Sequence, residues 1–111
     1  MENMRKTLLL MFVLWANAVS AQDVPDKNEC EMNADLASYL ITISAYCGYQ
    51  RDSKYESILA EISKQCISLY GEPLTANASM AAIHSVKAEM ADTGRSAACL
   101  RAYSEYREFF D

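Results

Sequence analysis

The sequence predicts an all-α protein, a small four-helix bundle stapled by two disulfides. Three observations lead there: apolar residues recur at helical spacing in four successive segments, no stretch alternates with the period of two that a strand requires, and four cysteines follow a secretory-type leader. Runs of helix with no strand pattern leave helix-on-helix packing as the way to bury apolar surface.

The leader comes first. Arg5 and Lys6 precede an unbroken apolar run from Leu8 to Ala16, and small residues follow at Ala18, Ser20 and Ala21, the three parts of a cleavable signal peptide. That run is shorter than the roughly 20 apolar residues needed to cross a bilayer. Cleavage is expected after Ala21, with Ala18 as second choice, so residues 1–21 are read as a signal peptide and residues 22–111 as a single helical domain. No later apolar stretch has membrane length. The mature protein is therefore expected in the periplasm, or secreted, with no membrane anchor.

Removing Arg5, Lys6 and Glu2 from 10 basic and 15 acidic residues leaves a mature net charge of about −6. This argues against a nucleic-acid partner and favours a basic protein partner through electrostatic steering.

The first helix is expected from about Ala34 to Tyr49, where Leu36, Tyr39, Leu40, Ile43 and Cys47 recur on one side, with Asn33 or Asn28 as cap. The second opens at Ser53, which forms a capping box with Glu56, and carries the cleanest stripe: Tyr55, Ile58, Leu59, Ile62, Cys66, Leu69 and Tyr70. Gly71 stops it and Pro73 prevents it from resuming. The third has Thr75 or Asn77 as cap, sets Met80, Ile83, Val86 and Met90 on one side, and stops at Gly94. The fourth runs from about Ser96 to Phe110, with Cys99, Tyr103, Tyr106 and Phe110 on its inner stripe and Phe109 about 80° off it.

Helix geometry selects a disulfide pairing. A tight turn near Arg51 places Cys66 level with Leu36, about 15 Å along the axis from Cys47, beyond the reach of a bridge. Cys30, just below the first helix, lies at the end that Cys66 reaches, and Cys99 starts the fourth helix at the end where Cys47 stands. The predicted bridges are Cys30 to Cys66 and Cys47 to Cys99.

No reaction is spelled out. His84 is the single histidine, and oxidised cysteines offer it no nucleophile. There is no C-x-x-C pair, no G-x-S-x-G, no H-E-x-x-H and no Gly-rich phosphate loop, so neither catalysis nor a cofactor or metal is expected. Carboxylates such as Glu105 and Glu108 sit beside Arg101 as ordinary ion-pairing partners. Binding is the better expectation. Tyr49 points away from the Leu36 stripe, next to the turn "GYQRDSKY". The preferred partner or dimer surface is the segment "GEPLTANAS" with the third helix: Glu72, Leu74, Asn77, Met80, Ile83, His84 and Lys87.

With its leader, its helical disulfide-bonded body, "YLITISAYC" in the first helix and "CLRAYSEYREFF" in the last, the chain resembles the small periplasmic immunity proteins that neutralise type VI secretion amidase effectors. Cys99, Tyr103 and Ser104 match a Cys-x-x-x-Tyr-Ser-like element of that family's last helix. The resemblance implies a non-enzymatic protein, often a homodimer, that occludes the active site of a peptidoglycan amidase with a helix and an adjoining loop. The alternative expectation is a small secreted ligand carrier or periplasmic stress chaperone, which calls for an apolar cavity.

Overall fold

The structure, a computed structural model, describes residues 24–111. The signal-peptide expectation falls on residues outside that range. The described residues form α1 (Lys27–Cys47), α2 (Ser53–Tyr70), α3 (Glu72–Thr93) and α4 (Arg95–Glu105), closed by a 3-10 turn at Arg107–Phe109. They are an all-α bundle stapled by Cys30–Cys66 and Cys47–Cys99, with Cα separations of 5.6 and 5.7 Å. One bridge ties the start of α1 to the end of α2, and the other ties the end of α1 to the start of α4. Among the described residues no helix is long and apolar enough to cross a membrane.

The first helix starts earlier than Ala34. Asp26 accepts from the Glu29 amide at 2.8 Å, and the Glu29 carboxylate accepts from the Asp26 amide at 3.3 Å, a capping box that carries the helix back to Lys27. Cys30 therefore lies inside α1 rather than below it. Neither Asn28 nor Asn33 caps the helix; Asn33 is buried within it. At the far end α1 stops at Cys47, and the Gly48 amide donates to Ser44 at 2.8 Å.

The α2 cap is Asp52, whose carboxylate accepts from the Lys54 amide at 2.9 Å. A carboxylate one position upstream serves as well as a serine hydroxyl, so Ser53 becomes the first helical residue. Glu56, expected to close a box with Ser53, instead pairs with Arg51 at 3.0 Å.

Gly71 alone joins α2 to α3. The chain resumes helix at Glu72, because Pro73 falls in the first turn, where its missing N–H leaves no bond unmade. Thr75 and Asn77 are thus helical residues rather than caps, and the expected loop from Gly71 to Ser79 is the opening of α3. The buried side of α3 is Ala82 and Val86; Ile83 and Met90 are half-buried, and Met80, expected with them, is 53% exposed. Small inward residues let two helix axes approach closely. α3 makes its largest contact with α1.

The last helix ends at Glu105 instead of continuing to Phe110. The Asp52 amide donates to the Phe109 carbonyl and the Asp111 amide to Gln50, both at 2.8 Å, so the terminal residues strap the α1–α2 turn. Leaving the helix rotates Phe109 inward: it is 2% exposed and its ring lies 4.9 Å from Tyr55. The residue that helical spacing left unexplained is core. Tyr39 and Tyr106 fill the centre with ring centroids 4.9 Å apart. Tyr103, expected in the stripe, is 37% exposed at its edge, lying against Tyr49 and Phe110.

Candidate functional site

The seven expected partner residues all stand on α3, which the opening at Glu72 extends into one continuous surface. Glu72, Asn77, Met80, His84 and Lys87 are exposed, while Ile83 is half-buried at the border. Taking 100° per residue, Met80, His84 and Lys87 fall within about 60° of one another, on the side opposite Ala82 and Val86. Leu74 departs from the group: it is half-buried and packs against the hydrophobic core. The outward face is thus a mixed surface, one flexible methionine between an imidazole and an ammonium.

Tyr49, the other candidate, is a structural residue. Its hydroxyl donates to the Cys99 carbonyl at 2.9 Å and its ring packs on Phe110 and Tyr103. It thereby fastens the α1 exit to the bridged start of α4.

Charge is organised at the α3–α4 seam. Arg101 donates to Glu89 on α3 and to Glu105 one turn along α4, both largely buried carboxylates. Burial works against the guanidinium charge, but the hydrogen bond and charge of Glu89, helped by Glu105, outweigh it and hold Arg101 above its ordinary value. Stability from a raised basic group is complete below its unfolded value and is lost as pH rises from there through its folded one. Alkali in the working range leaves this cluster intact.

A concavity, not anticipated from the sequence, lies between α1 and α2. It encloses about 400 Å³ and is lined by Leu40 and Ile41 of α1, Tyr55 and Leu59 of α2, and Phe109 of the terminal strap, with Lys64 on its rim. Ala37 and Ala60 leave the space open because their side chains are too small to close it. The signal was in the sequence: Ile41 is apolar yet off the Leu36 stripe, and facing helices carry alanine where branched residues would meet.

Among the described residues no group of three or more His, Cys, Asp or Glu side chains is placed to hold a metal ion, and all four cysteines are bridged. No family model, curated protein or solved structure matches the chain.

Proposed function

We propose that this chain is a periplasmic immunity protein that binds a type VI secretion peptidoglycan amidase and covers its active site. The observation that carries the reading is the outward face of α3, with Met80 flanked by His84 and Lys87, held on a body fixed by two disulfides. A pre-ordered surface loses little conformational entropy on binding, which is what tight inhibition requires. The two segments that resemble the immunity family, "YLITISAYC" and "CLRAYSEYREFF", are joined by the Cys47–Cys99 bridge. They contribute to the frame, and α3 offers the contact. Lys87 supplies a cation for an acidic edge of the target, and Met80 supplies an adaptable apolar contact.

The test pairs the purified, oxidised protein with a type VI secretion peptidoglycan amidase. A stable complex of nanomolar affinity and loss of peptidoglycan hydrolysis are expected. The double variant Met80→Asp, Lys87→Glu should weaken the complex about a hundredfold, in keeping with loss of two interface contacts, while its melting temperature stays unchanged because both sites are exposed. Undiminished hydrolysis at saturating protein would overturn the proposal. Light scattering of the free protein, run alongside, reports whether a homodimer forms.

A further inference from the structure

The groove between α1 and α2 lies apart from the α3 face, and its composition names an occupant. Its space of about 400 Å³ falls within the range of about 300 to 1,000 Å³ typical of small-molecule pockets. Leu40, Leu59 and Phe109 form buried apolar walls, and Ile41 is 50% exposed along one lip. From Tyr55 to Lys64 the groove follows α2 for about 13 Å of axis.

Its two ends differ in charge. Near Tyr55, Arg51 is matched by Glu56 at 3.0 Å and Asp52 is engaged as the α2 cap. At the other end Lys64 is exposed on the rim and has no carboxylate partner among the described residues. Between the ends the one polar lining side chain is Ser63, whose hydroxyl already accepts from Asn33 Nδ2 at 3.2 Å. Such a slot gives the amides of an extended peptide little to bond with, and those groups are costly to bury unpaired. An alkyl chain has no such groups.

We infer that the α1–α2 groove binds a single-chain carboxylate amphiphile, its alkyl chain against Leu40, Ile41, Leu59 and Phe109 and its carboxylate at Lys64. This site does not depend on the amidase reading, since it shares no residue with the α3 face.

The test titrates the purified, oxidised protein with octanoate, decanoate and dodecanoate below their micelle concentrations, with dodecanol alongside. Affinity should rise about fourfold per added methylene until the groove is filled, and amide shifts should centre on Ala37, Ile41, Leu59 and Ala60. Lys64→Glu should weaken dodecanoate about tenfold, the weight of one charge-assisted contact, and leave dodecanol unchanged. Ala60→Trp, which sets an indole in the slot, should weaken both. Each site is exposed, so both variants should melt with the parent; Ala37→Met is the second filling variant if Ala60→Trp melts early. Three outcomes would overturn the proposal: no binding by any chain length, equal effects of Lys64→Glu on dodecanoate and dodecanol, or amide shifts at the groove that appear on concentrating the protein alone, which would place a second copy there.

Discussion

Asn33 is fully buried inside α1, and its Nδ2 donates to the Leu59 carbonyl at 3.1 Å and to the Ser63 hydroxyl at 3.2 Å. A polar side chain at such depth is tolerated only with partners, and these two join α1 to the middle of α2 one turn from the Cys30–Cys66 bridge. Asn33→Ala should therefore destabilise the fold by about 1–3 kcal/mol in urea unfolding. Asn33→Asp is the sharper probe, because an ionised carboxylate there would face the Leu59 carbonyl without water. Burial would raise the folded-state value of that new acid above its unfolded value. The variant should then be most stable in acid, below the unfolded carboxylate value, and lose stability as pH rises through the raised folded value. A urea midpoint for Asn33→Asp that climbs from acid to neutral pH, relative to the parent, would contradict this account. In the sequence Asn33 suggested a cap, since asparagine favours helix starts. The stronger signal was Asp26 followed by Glu29, one motif upstream.

At the level of helices, the stops of α1, α2 and α3 were legible, and the starts of α1 and α3 were not. Gly48, Gly71 and Gly94 all follow a helix end, and glycine marks such ends for a single physical reason, its access to positive φ. Starts have more equivalent solutions: Asp52 displaces Ser53, and Pro73 opens α3 where it was expected to block it. The end of α4 was hidden for another reason. Tyr106 continues the helical spacing, and the break after Glu105 is set by pairing with Gln50 and Asp52, far away in sequence. Gly94 offers a clean test of the corner between α3 and α4. It adopts φ 87 and ψ 156, a region open essentially to glycine alone, yet a Cβ built there meets nothing within 4 Å. Gly94→Ala should cost about 1–3 kcal/mol from backbone strain with no steric clash, read as a lower melting temperature with unchanged helical circular dichroism. An alanine variant as stable as the parent would mean that the corner relaxes freely.

Across the whole molecule, the disulfide pairing was legible because it depends on helix lengths and the position of one turn, quantities that survive boundary errors of several residues. The groove was not, since it arises from volume that Ala37 and Ala60 fail to fill, and missing volume leaves only a faint mark on a hydrophobic pattern. The two bridges span 36 and 52 residues, and because closure entropy grows only with the logarithm of loop length, each contributes about 4 kcal/mol on the chain-entropy model. That is a large share of the 5–15 kcal/mol typical of a domain. Global unfolding should therefore barely distinguish the double variant Cys47→Ser, Cys99→Ser from Cys30→Ser, Cys66→Ser. Local opening should distinguish them clearly. The Cys47–Cys99 bridge anchors α4, the shortest of the helices, and through it the strap that holds the Asp52 amide on the Phe109 carbonyl. Without that bridge, hydrogen exchange should quicken at Asp52 and through α4 while the start of α1 stays protected. Without Cys30–Cys66 the order should reverse, with the first turns of α1 and the last of α2 opening first. Identical exchange maps for the two variants would show that the bundle opens as one unit, with the bridges acting on the unfolded chain alone.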